Sequence, residues 1–299
     1  MKRFLYLCLT LLVCCTGCRQ SAGVSISIDI YTVDDKGEYI TRTSKEVTPQ
    51  PDISLQYVTT MVEANPSLFP EGISVLSVSL EGNTVTVDFS QELRMVSEQD
   101  FLFINELCAL AVSQGERQQG DKIAKVNLLC EGEQLPGYFQ YPYSTRLVDQ
   151  ASQTNFPIWM LRLYFPDREN TCLIQEYRLV PEGTDAQNLV LEELRRGTED
   201  PDNKNNILPY NAKILQMRPE EDTLYLNFSH EFADDCAPGQ EALLLQAVTA
   251  CYSEFIAVNQ VQFAIEGDSQ REFGGISLAQ PLTVDPAYFE DPQAYFSET

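Results

Sequence analysis

Val85-Thr-Val-Asp-Phe-Ser90 recurs as Leu224-Tyr-Leu-Asn-Phe-Ser229, 139 positions later. Val85, Val87 and Phe89 in the first stretch, and Leu224, Leu226 and Phe228 in the second, alternate with polar residues, which is the period of a strand with one buried face. The likeness extends outward at the same offset. Pro70 aligns with Pro209 and Leu76 with Leu215, and each serine is followed by Gln91-Glu92-Leu93 or His230-Glu231-Phe232. A unit used twice is the economical explanation of such self-similarity.

Periodicity then assigns the same order of elements to both copies. Ile26, Ile28 and Ile30 alternate with polar neighbours, as do Trp159, Leu161, Leu163 and Phe165, and second strands follow around 39–47 and 172–180. A helix comes next in each. Ile53 to Glu63 places Tyr57, Val58, Met61 and Val62 inward; in copy two, Thr184-Asp-Ala-Gln187 reads as a capping box, Leu189, Val190 and Leu194 share a face, and Gly197 supplies a stop. Hairpins turn at Glu81-Gly82-Asn83 and at Glu220-Glu221-Asp222. A second helix carries Phe101, Ile104, Cys108 and Ala111 on one stripe, or Leu244, Ala247 and Cys251, and the closing strands, Val126 to Cys130 and Val261 to Ile265, both run into Glu-Gly. Between these landmarks the offset changes only in loops, as a duplication requires.

Each unit therefore reads as ββαββαβ, an α+β fold in which two helices pack on one face of a mixed, mostly antiparallel sheet. The expected boundaries are 25–132 and 158–267, with a linker at 133–157 rich in Tyr, Pro, Ser, Thr and Gln. The acidic tail, 268–299, is expected as an ordered apron over the second unit.

The N-terminus reads as a processing signal, with Lys2 and Arg3 before an apolar run from Phe4 to Cys15. That run is too short for a membrane span of ~20 residues. It ends in Cys15-Thr16-Gly17-Cys18, which resembles the lipobox of bacterial lipoproteins. The resemblance implies that 1–18 is a signal peptide with lipobox, that Cys18 becomes the lipidated N-terminus, and that the chain is held on the extracytoplasmic face of the cell membrane. An ordinary secretory signal cut nearby is the alternative. With 44 acidic against 20 basic residues, net charge −24, the protein repels nucleic acid and anionic head groups, so no nucleic-acid partner is expected and attachment falls to acyl chains on Cys18.

The duplicated strand ending in Asp88-Phe89-Ser90 or Asn227-Phe228-Ser229, the preceding loops Leu68-Phe-Pro70 and Ile207-Leu-Pro209, the long second helix and the closing Glu-Gly resemble GerMN domains. In tandem behind a lipobox, the resemblance covers about 25–132 and 158–267. It implies a non-catalytic protein of sporulation or spore germination, without cofactor or metal, that assembles with itself or with sporulation-channel or cell-wall proteins.

Other chemistry competes poorly with structural readings. His230 is the only histidine; its counterpart is Gln91, so the scaffold does not need an imidazole. Asp88 and Glu92 form the best carboxylate pair for a wall hydrolase, but Asp88 aligns with Asn227, which favours turn chemistry over acid and base roles. Asp200-Pro-Asp-Asn-Lys-Asn-Asn206 lacks the central Gly and final Glu of a calcium loop. Cys108, Cys130 and Cys251 read as buried thiols, while a Cys108 to Cys130 disulfide stays open and needs alpha carbons within ~7 Å. A peptidoglycan enzyme, or a solute- or glycan-binding lipoprotein using Tyr288 and Tyr295, remain the other two readings.

Overall fold

The computed structural model describes residues 24–115, 122–136, 140–183 and 185–291. The expected signal segment with Cys18, Thr184 and Tyr295 lie outside the described residues. The first unit runs β1 (Ile26–Val33), β2 (Tyr39–Val47), α1 (Ile53–Ala64), β3 (Val75–Glu81), β4 (Thr84–Phe89), a 3-10 turn at Gln91–Met95, α2 (Glu98–Ser113) and β5 (Lys125–Cys130). Short strands β6 (Glu133–Gln134) and β7 (Tyr143–Ser144) follow. The second unit repeats the order with β8 (Asn155–Pro166), β9 (Leu173–Pro181), α3 (Ala186–Arg196), β10 (Ile214–Glu220), β11 (Thr223–Phe228), the single turn α4 (Glu231–Asp234), α5 (Glu241–Ile256) and β12 (Gln260–Ile265), ending in β13 (Glu272–Phe273) and β14 (Ile276–Ser277).

The ββαββαβ order thus appears twice in an α+β fold, and hydrogen bonding distributes its strands in a way that periodicity does not convey. In each unit a hairpin and the strand after the long helix make a small mixed sheet: β4 lies between antiparallel β3 and parallel β5, and β11 between antiparallel β10 and parallel β12. The remaining strands join across the units into one four-stranded sheet, β1-β2-β8-β9. The long helix of each unit is packed between the two kinds of sheet, α2 touching β1 and β9 as well as β4 and β5, and α5 touching β8 as well as β11 and β12. Every residue from Phe101 to Val112 is consequently buried, rather than one stripe, because there is a sheet on either side.

Local chemistry fixes the helix starts. Asp52 caps α1 by accepting from the Leu55 amide at 2.9 Å, and Ser97 caps α2 by accepting from Asp100 N while its hydroxyl donates to the Asp100 carboxylate at 2.7 Å. The cap of α3 is Asp185, which accepts from Asn188 N at 3.2 Å, one residue later than the capping-box pattern suggested. The segment after each unit turns back to cover the edge of its last strand: Tyr143 pairs with Val126, and Leu282 with the repeat-equivalent Val261. The tail adds Phe289, buried edge-on against Tyr164 with ring centroids 5.1 Å apart.

The units interlock. Ile40 of β2 pairs with Phe156 of β8, flanked by Arg42 N donating to Thr154 O at 2.7 Å and Ile158 N donating to Glu38 O at 2.9 Å. Phe156, Ile158 and Leu179, from the second unit's hairpin, complete the apolar core of the first. Phe156→Ala is expected to destabilise the protein by about 3–5 kcal/mol. Urea unfolding followed by the fluorescence of the single tryptophan, Trp159, measures this.

Candidate functional site

The recurring polar residues are engaged identically in both copies. Asp88 Oδ1 accepts from Gly132 N at 2.8 Å, and Asn227 Oδ1 accepts from Gly267 N at 2.8 Å. Those glycines stand at φ 81° and 83°, after Glu131 and Glu266 at φ 53° and 54°, so a short acceptor pins a left-handed turn for which glycine is suited. Phe89 and Phe228 are fully buried between the sheet and the long helix. Ser90 Oγ accepts from Ser74 N at 2.9 Å and Ser229 Oγ from Lys213 N at 3.1 Å, each tying the 3-10 or helical turn to the first hairpin strand.

Glu92 and Glu231 follow these serines, and hydrogen bonds from Ser90 and Ser229 hold both carboxyls below the ordinary range. Each is an ionised acceptor, the wrong state for a general acid. His230 is exposed, with Nδ1 3.5 Å from both Glu231 and Glu266. In the 200–206 loop Asp200 pairs with Arg168 at 2.7 Å, and Lys204 donates to Pro201 O. Among the described residues no group of three His, Cys, Asp or Glu side chains is placed to hold a metal ion. Cys108, Cys130, Cys172, Cys236 and Cys251 are free thiols, so the Cys108 to Cys130 bridge is not formed. Burial pushes the Cys108 and Cys251 thiols far up, and Cys236 up to about 11. Tyr288 packs against the second core.

A cleft of about 230 Å³ lies between the units, lined by Gln99, Met160, Arg162, Tyr177, Glu254 and Phe255. Arg162 is itself engaged, 3.3 Å from Glu254 and over the Tyr177 ring.

The densest concentration of charge is buried where the units meet. Arg146, in the segment joining them, donates to Glu193 at 2.9 Å, to Glu199 at 2.6 Å and to Ser144 O. Arg178 on β9, with no side-chain exposure, donates to Glu176 at 2.5 Å and to the same Glu193 oxygen at 2.9 Å, and it lies 4.8 Å from the Phe165 ring centroid. The first unit enters through Glu106 of α2, which accepts from Arg146 N at 2.8 Å and Leu147 N at 3.1 Å. Burial raises the Glu106 carboxyl to about 7 despite those bonds. Glu193 and Glu199 are held below the ordinary range because Arg146 and Arg178 outweigh their desolvation. No spacing in the sequence announces this cluster; its only trace is charge inside apolar runs, Glu106 before Leu107 and Arg178 before Leu179.

The Germane family, described as sporulation and spore germination, matches by its family model over residues 29–136 and again over 162–271, both units. The chain belongs to the Germane family. Among solved structures it is similar to the tandem GerMN domains of the sporulation protein GerM from Bacillus subtilis, at 16% identity over 89% of this chain and 100% of that one, TM-score 0.39. It is also similar to the first GerMN domain of the same protein, at 21% identity over 42% of this chain and 96% of that one, TM-score 0.35. A search of curated proteins finds no match. In the two Germane repeats, Asp88 and Asn227 share one acceptor role, so charge at that position is dispensable.

Asp88→Asn is accordingly expected to be near neutral, while Asp88→Ala leaves Gly132 N without its acceptor and costs about 1 kcal/mol in chemical denaturation. Arg146→Ala takes from buried Glu199 its ion-pair partner and from Glu193 one of three arginines, and costs about 3–5 kcal/mol. For Glu106 the folded state holds its proton up to about 7, above the ordinary 4.5, so folded protein binds more protons than unfolded protein in that window. Its contribution falls as pH rises from 4.5 to 7, and Glu106→Gln should flatten that slope in stability measured against pH. Glu193 and Glu199 act oppositely, their stabilisation fading as pH drops below the usual carboxylate range.

Proposed function

We propose that this Germane protein is a lipid-anchored, extracytoplasmic and non-catalytic scaffold of sporulation or spore germination, docking on itself or on sporulation-channel or cell-wall proteins. One observation carries the reading: both repeats spend their recurring polar side chains on their own backbone, and buried charge joins them into a single two-unit platform. Acyl chains on Cys18 supply the attachment. The segment from Cys18 to Ile26 spans at most ~3.3–3.6 Å per residue, which keeps the first unit within about 30 Å of the bilayer. The chain's net charge of −24 repels anionic head groups, leaving its surfaces free for protein partners.

Complementation of a deletion strain tests each part. Cys18→Ser is expected to leave the membrane fraction and to lower sporulation or germination, and Glu92→Gln with Glu231→Gln to restore both to wild-type levels. Loss of function in a folded double variant, with carboxylates alone removed, overturns the scaffold in favour of a wall-acting enzyme. Retention of Cys18→Ser in the membrane overturns the anchor.

A further inference from the structure

Sheet edges expose unpaired backbone groups, and proteins block those not meant for pairing. Among the described residues this chain blocks several of its own. Along β1, Gln114 bonds the amide and carbonyl of Asp29, and Asn65 bonds Val33 N and Tyr31 O, so two side-chain amides stand where a strand would add. β5 is covered by β6 and β7, and β12 by Leu282. β9 is largely buried and meets Phe289 and Glu290 at Leu173.

The outer strands of the two small sheets, β3 and β10, are repeat equivalents with the same pattern of exposure and the same bulge, beside Leu76 and Leu215. They differ in their protection. β10 carries Arg218 and, opposite Leu224, Pro219, a residue with no N–H to offer. At the matching position, opposite Val85, β3 has Leu80. From Val75 to Leu80 it has neither charge nor proline, and Leu76 and Leu80 are 48% and 44% exposed. That Pro219 is accommodated in β10 also indicates that the N–H at this position points away from the hairpin partner. Hairpin geometry agrees, because a two-residue loop closed by Glu81 and Thr84 turns the backbones of Val78 and Leu80 outward.

We infer that β3 is the docking edge for a second copy of this chain, through antiparallel β3–β3 pairing centred on Val78. The inference rests on the scaffold reading and names its partner. Leu76-Ser77-Val78-Ser79-Leu80 reads the same in both directions. A two-fold axis at Val78 therefore sets Leu76 opposite Leu80 of the second copy, Ser77 opposite Ser79, and Val78 opposite itself, so the outward-facing groups of both strands meet in register. Two chains of charge −24 repel each other over most of their surfaces, and this uncharged strand gives them a place to approach.

Sedimentation of the full chain in detergent, wild type against Leu80→Pro, tests the inference. The proline copies the natural state of β10. Wild type is expected to dimerise and Leu80→Pro to weaken the dimer at least tenfold with unchanged circular dichroism. Ser79→Lys, which puts two lysines near the axis on exposed positions, is the second variant and is expected to do the same should the proline disturb folding. A monomeric wild type overturns β3 pairing while leaving the scaffold to act through other partners. A wild-type dimer that persists in Ser79→Lys, or in folded Leu80→Pro, overturns β3 as the edge while self-association stands. Failure of the scaffold itself appears separately, as loss of function in the folded double glutamine variant.

Discussion

Removing the Arg146 guanidinium from water costs several kcal/mol, and the loss is recovered only where an acceptor meets each of its three nitrogens. Glu193, Glu199 and the Ser144 carbonyl do so here, and they come from the second unit and the joining segment. The backbone of the same residue is gripped by Glu106 of the first unit. Neither unit alone provides this environment, so the segment around 143–147 must be ordered and both units present before the charge is stable. From there the contacts continue through Glu193 to Arg178 and on to Glu176, beneath the sheet that the units share. The rigid relation of the two repeats depends on that buried chain of charges.

Comparing the repeats separates what the fold requires from what each copy has been free to change. Asp88 and Asn227 accept the same bond, which makes the requirement an acceptor, not a charge. Segments after β5 and after β12 cover the same edge by different routes, through Tyr143 and through Leu282. Leu80 and Pro219 diverge at an exposed edge, where the fold tolerates either. Change at a tolerant edge position alters which neighbours a domain accepts without disturbing its core.

Much of the fold was legible because alternation and helical spacing report directly on which side chains face inward. Val85, Val87 and Phe89 named their strand, and Asn227 beside Asp88 removed an apparent acid pair. Strand partnership is not encoded by period, so the junction of β2 with β8 and the division of strands between two kinds of sheet were invisible. The reading of α2 as one stripe followed from expecting a single sheet; Leu102, Phe103 and Ala109 are apolar because a second layer covers them. The cluster of Glu106, Arg146, Arg178 and Glu193 is not marked by any motif, since pairing over distances of tens of residues leaves no local spacing to detect. The covering of β5 and β12 by later chain was hidden for the same reason.

Native-state hydrogen exchange across the junction tests the central claim most directly. The amides of Arg42 and Ile158 bond between β2 and β8, and that of Leu147 bonds Glu106. Joined units require these three to exchange only with the same opening free energy as core amides of β4 and β11, and with the same dependence on denaturant. Exchange of the three at a much lower free energy, insensitive to denaturant while both cores stay protected, would show two units that part freely and contradict the account.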